Sequence, residues 1–198
     1  MDALILARHG ESELSVRGLT NGDPAQACGL TEAGREQARR LGGLLAAERL
    51  DLCVTSAFAR TQETAELALE GRDVPRLVIP ELNDIRFGDF EALAFDEYRT
   101  WARSASPTDA PPGEGESRAD CVARYAQGFR ALLARPERIA LVVIHGLPIR
   151  YVLNALDGRP PQPLLDQVPY AEPFRLSAEA LETALTELES WAAAPAWP

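Results

Sequence analysis

The chain has 198 residues, 46% of them hydrophobic and 25% charged, with a formal net charge of −10 at pH 7. That length suits a single domain over 1–198, able to bury roughly 70% of the unfolded chain's surface without a disulfide or metal staple. The acidity argues against nucleic acid or an anionic membrane as partner, and neither a membrane span of roughly 20 apolar residues nor a secretion signal is legible. Three unclustered cysteines, Cys28, Cys53 and Cys121, form no metal-like or redox pair, so reduced thiols and a cytoplasmic location are expected. All 20 basic residues are arginine, so any anion site must be built from permanently charged guanidinium forks.

The first predicted element is a buried strand over 3–8, ending in Arg8-His9-Gly10. A Gly/Asp/Pro-rich loop over 18–29 follows, and Thr31 then caps a helix running to about Glu48. A second strand covers 50–55 and is ended by Ser56; a helix over 57–70 comes next, then a short strand at 77–79. The segment 81–93 is a charged, aromatic loop leading into a helix over 95–103. Prolines and glycines make 106–115 a surface loop or lid, and Ser117 to Asp120 resembles a capping box opening a helix to about Leu133. A strand over 139–144 ends in His145-Gly146, and proline suits the first turn of the helix predicted over 148–156. After a proline-rich loop, Phe174 to Leu176 reads as an edge strand, and Ser177 caps a last helix to about Trp191; residues 192–198 are expected to fray. Strands alternating with helices predict an α/β fold on a mainly parallel, doubly wound sheet.

The only two histidines, His9 and His145, each stand between an apolar run and a glycine. Strands of a parallel sheet open their carboxyl ends onto one crevice, which would bring the two imidazoles together. A neutral imidazole can serve as nucleophile, base or metal ligand, but two histidines without clustered cysteines or carboxylates leave a zinc site short of ligands. Arg8 beside His9 points to phosphate, whose oxygens match a guanidinium fork. Arg60 lies just past a strand end in the opening turn of a helix, an anion-binding position that an exposed helical arginine would occupy equally well. The loop Glu81 to Glu91 holds carboxylates among aromatics; alone it reads as a solvated acidic loop, although a carboxylic acid with a raised pKa could protonate a leaving group.

Arg8-His9-Gly10-Glu11-Ser12 resembles the signature of the histidine phosphatase superfamily, also called the phosphoglycerate mutase-like family. Further segments resemble the family's in order: Gly18 to Gly22 with Leu30 to Ala38, Ser56 to Thr64, Leu82 to Glu91, Pro112 to Ser117, and Ile144-His145-Gly146. The resemblance implies a doubly wound α/β sheet with a small helical or loop insertion over the site, and chemistry without metal or cofactor. By position it makes His9 the nucleophile that becomes a phosphohistidine, with Arg8, Arg60 and His145 on the phosphoryl oxygens. Asp84 stands where the family places its acid, usually glutamate, with Glu81 and Glu91 as fallbacks. Ser15 stands where many members have an asparagine on the phosphoryl group. Leu147 and Ala92 replace glycines. A phosphomonoesterase of the phosphoglycerate mutase/alpha-ribazole phosphatase type, acting on a small phosphorylated metabolite, is therefore expected. A cofactor-dependent mutase is the alternative, although Asp84 to Phe90 lacks the mutases' extended loop pattern. A phosphate-binding module without catalysis is a third reading. The specific metabolite and the oligomeric state are not legible.

Overall fold

A computed structural model describes residues 1–198, and one five-stranded sheet organises them. The strands are β1 (Ala3–Arg8), β2 (Leu52–Thr55), β3 (Arg76–Val78), β4 (Ile139–Ile144) and β5 (Pro173–Ser177), in the spatial order β3-β2-β4-β1-β5. The first four are parallel, and β5 closes the edge antiparallel to β1. The helices are α1 (Glu13–Val16), α2 (Glu32–Leu44), α3 (Ala59–Ala68), α4 (Phe95–Ala102), α5 (Arg118–Leu133), α6 (Gly146–Leu156) and α7 (Ala178–Ala193).

The unbroken apolar runs of β1 and β4 follow from burial on both faces. Leu4, Leu6, Val142 and Ile144 point into a large core with α5, α6 and α7, while Ile5, Ala7, Leu141 and Val143 point into a smaller one with α2 and α3. The predicted caps are present: the hydroxyls of Thr31, Ser117 and Ser177 accept from the N–H groups of Gly34, Asp120 and Ala180. No helix is long and apolar enough to cross a membrane.

Three expectations change. The stretch after His9 contains a short helix, α1, that no periodicity marks. Residues 106–115 do not form a lid over the cavity that Arg8 and His9 line; they fold back so that Asp89 N–H donates to Pro112 O at 2.8 Å, and the cavity is walled instead by 163–168 and Tyr170. The tail is tied down, with the Trp197 ring packed at a tilt against Trp191, centroids 5.6 Å apart, and its indole donating to Ala105 O at 2.8 Å.

Ala92, in a place where the family resemblance has glycine, adopts φ +60°. A side chain in that left-handed region costs about 1–2 kcal/mol, partly offset by glycine's greater freedom when unfolded. Ala92→Gly is therefore expected to raise the melting temperature by about 1–3 °C; a lowered value in a thermal melt would show that the turn carries no strain.

Candidate active site

Four adjacent parallel strands each deliver a polar group to one crevice at their carboxyl ends, as open α/β sheets do for ligands. β1 ends in Arg8 and is followed by His9, whose N–H donates to Ile144 O of β4 at 2.9 Å. β4 is followed by His145, and the two imidazole centroids lie 5.4 Å apart. β2 leads through Ser56 into α3, which carries Arg60 in its first turn. β3 leads through a turn at Pro80–Leu82 to Asp84.

The glycine after His9 has a steric cause. A Cβ on Gly10 would lie 2.4 Å from Gly34 O, and one on Gly34 would lie 2.0 Å from Glu11 O. The loop after β1 is thus pressed against α2, which fixes the backbone that aims His9.

Partners set the tautomer of each ring. His9 Nδ1 lies 2.7 Å from Gly10 O, a carbonyl that only accepts, so Nδ1 carries the proton and Nε2 keeps its lone pair. Arg60 Nε donates to that Nε2 at 3.2 Å. His145 Nε2 faces Ser56 Oγ at 2.8 Å, and Ser56 in turn faces Thr61 Oγ1 at 2.9 Å. The other ring nitrogen of His145, Nδ1, accepts from Arg60 Nη2 at 3.1 Å and lies 3.4 Å from Asp84 Oδ2.

Arg60 is the hub. It is 3% exposed. Beyond the two histidines it donates to Asn21 Oδ1, to Asn21 O at 3.0 Å and to Asp84 Oδ2 at 3.3 Å. Its charge lies over the Phe58 ring at 4.2 Å. Arg8 is held from the opposite side, donating to Val168 O at 2.8 Å and stacking on Tyr170 at 3.9 Å, while its buried Nε has no partner.

Burial, with Arg60 and Arg8 beside it, holds the His9 imidazole well below its ordinary pKa; His145 is lowered in the same way by burial, Arg60 and His9. Both rings are therefore neutral at pH 7. Burial raises the carboxyl of Asp84, against the opposing pull of Arg60. The unfolded chain binds protons on both histidines below about pH 6.5 while the folded chain resists them, so this stability is present above pH 6.5 and lost as pH falls. Asp84 acts with the opposite sign: because burial raises its pKa, its contribution is fully present below 3.8 and is lost as pH rises through the higher pKa of the folded state. Melting temperature is expected to drop steadily on acidification from pH 7.5 to 5.5 (a span of about two units around the histidine pKa); a flat profile would mean the rings are not buried neutral.

The sequence candidates are brought together with two exceptions in detail: His145 does not line the cavity, being fully buried with both ring nitrogens engaged, and Ser15 is held locally. Arg8, His9, Ser15, Arg60 and Asp84 line one cavity of about 230 Å³, with His145 packed behind. Ser15, however, is occupied locally: its hydroxyl donates to Ser12 O at 2.8 Å and accepts from Ser12 N–H at 2.9 Å, capping α1. Its proton is committed there rather than to the cavity. Of the fallback acids, Glu91 accepts from Gly22 N–H at 2.8 Å and Phe87 N–H at 2.9 Å, which ties two loops together, and Glu81 is exposed. Asn21, Ser56 and Tyr170 were not singled out by the sequence for the roles they hold here. Only Ser56, at a strand's end, carried a positional signal.

Comparison with known proteins identifies the family and the fold. The family model of the histidine phosphatase superfamily (branch 1) matches residues 4–189. A 2,3-bisphosphoglycerate-dependent phosphoglycerate mutase of Methylobacterium sp. strain 4-46 is 40% identical over 175 residues, 78% of this chain and 80% of that protein. Among solved structures, the alpha-ribazole phosphatase of Shigella flexneri superposes with a TM-score of 0.75 at 30% identity, covering 87% of this chain and 89% of that one. A mycobacterial glucosyl-3-phosphoglycerate phosphatase superposes with a TM-score of 0.72 at 27% identity, covering 89% of this chain and 90% of that one.

Proposed function

The chain belongs to the histidine phosphatase superfamily, and from that premise we propose that it is a phosphomonoesterase acting on a small phosphorylated metabolite through a phosphohistidine. One observation carries the reading: the unprotonated Nε2 of His9 faces the Arg60 guanidinium at 3.2 Å, with Asp84 on the other side of the same guanidinium at 3.3 Å. A nucleophile, a cation and an acid are grouped as in-line phosphoryl transfer requires.

In this mechanism a phosphoryl group enters between Arg8 and Arg60 and takes over the N–H that Arg60 gives to His9. Nε2 of His9 attacks phosphorus, the P–O bond to the alcohol breaks, and the carboxyl of Asp84 gives its proton to the departing oxygen. The resulting Asp84 carboxylate then takes a proton from water as that water attacks the phosphohistidine, which releases phosphate and restores His9. The charges of Arg8 and Arg60, fixed before substrate arrives, stabilise the negative oxygens of both transition states. Further from His9 the cavity wall carries Arg99, Arg118 and Arg150 against the single carboxylate of Asp166, in a chain of net charge −10. That polarity favours substrates with an anionic group besides the phosphate.

The mutase reading is kept open by the name of the Methylobacterium relative. Chromatography decides between them: with 3-phosphoglycerate the expected product is free phosphate, and efficient conversion to 2-phosphoglycerate would establish the mutase. A panel of phosphomonoesters assayed by phosphate release in excess EDTA identifies the substrate class. No turnover of any ester above the His9→Ala background would leave only a phosphate-binding module.

A further inference from the structure

We propose that Glu116 and Arg124 form a clamp that positions Asp84 for proton transfer, a role that rests on the reading of Asp84 as the acid. Arg124 stands on α5, forty residues beyond the acid, and lies behind the loop rather than in the cavity that holds His9. Its guanidinium has five N–H groups, and the structure uses them all. Nε and Nη2 fork onto the two carboxylate oxygens of Glu116 at 2.7 and 2.6 Å. Nη1 donates to Glu81 O at 2.8 Å and Asn83 O at 2.9 Å, and Nη2 donates to Asp84 O at 3.2 Å.

Three carbonyls of the acid's own loop are thus pinned by one planar group. That group is locked in turn by a carboxylate only 4% exposed, and Glu116 N–H also donates to Arg86 O at 3.0 Å on the far side of Asp84. A buried fork of this kind is rigid, and its geometry is specific to arginine. The loop needs such a brace. Irregular backbone on both sides of Asp84 supplies few bonds of its own, and the carboxyl must stay between Arg60 and His145, 3.3 and 3.4 Å away. An aspartate also reaches one methylene less far than the glutamate usual in this family, so its carboxyl depends more strongly on where its backbone is fixed.

The test separates positioning from support of the fold by the leaving group. kcat/KM reports steps up to departure of the alcohol; p-nitrophenolate leaves without a proton, whereas an alkoxide needs one. Arg124→Lys keeps the charge and loses the fork. It is expected to lower kcat/KM for an alkyl phosphate by at least about 10-fold, as misplacing a catalytic group by a fraction of an ångström does, while p-nitrophenyl phosphate changes by less than about 3-fold. Glu116→Gln, nearly isosteric, is expected to show the same split and decides the matter where Arg124→Lys does not fold. Parallel loss on both esters, or no loss on either, overturns the clamp. Failure of the wild-type protein to hydrolyse either ester is a different result: it removes the phosphatase reading itself, and the clamp with it.

Discussion

His9→Ala is expected to lower kcat on p-nitrophenyl phosphate by about 10⁴–10⁶-fold, the range typical of deleting a covalent nucleophile. No neighbouring group can take its place. His145 is fully buried, its Nε2 is bonded to Ser56 at 2.8 Å, and its Nδ1 faces Arg60 and Asp84. Substrate should still bind, because Arg8 and Arg60 remain, so the loss should appear in kcat far more than in KM. A rapid quench with labelled substrate gives the direct readout: acid-labile label on His9 in the wild-type protein and none in the variant. Label on another residue, or turnover within about 10-fold of wild type, would rule out the covalent route.

Why His9 could be picked from sequence, and Asn21 could not, has a physical cause. A strand buried on both faces must be apolar throughout, so β1 and β4 show themselves as runs, and a polar residue at the end of such a run is forced to the crevice. His9, Ser56 and His145 all have that address, and the α/β class follows from the same runs. The caps Thr31, Ser117 and Ser177 were legible because an N-cap is a local device. Asn21 meets Arg60 only through tertiary packing of a loop without period, so nothing local marks it. The same limit explains the covering segment. Proline and glycine announce that 106–115 and 158–173 are loops, but not which of them lies over the cavity. Ser15 shows the converse: a family position predicts a contact with phosphate, while the local serine pair with Ser12 claims the hydroxyl for the cap.

Asp84→Asn is expected to cost about 10²–10⁴-fold in kcat/KM on alkyl phosphates and to leave p-nitrophenyl phosphate nearly unchanged. Asparagine preserves the size of the side chain and has no proton to give. The carboxyl suits the task because burial lifts its pKa above the ordinary carboxylate value, favouring its acid form, while burial beside Arg60 and Arg8 favours the neutral form of His9. The sign of the pH dependence follows. Activity on alkyl esters should fall as pH rises through the pKa of Asp84, since the acid form is then lost, and fall again on acidification as His9 takes a proton. In Asp84→Asn the alkaline limb should vanish while the acid limb, belonging to His9, stays. Glu91 cannot stand in, since both of its oxygens already hold the N–H groups of Gly22 and Phe87. Equal slowing of aryl and alkyl esters, or an alkaline limb that survives the substitution, would assign the proton to another group.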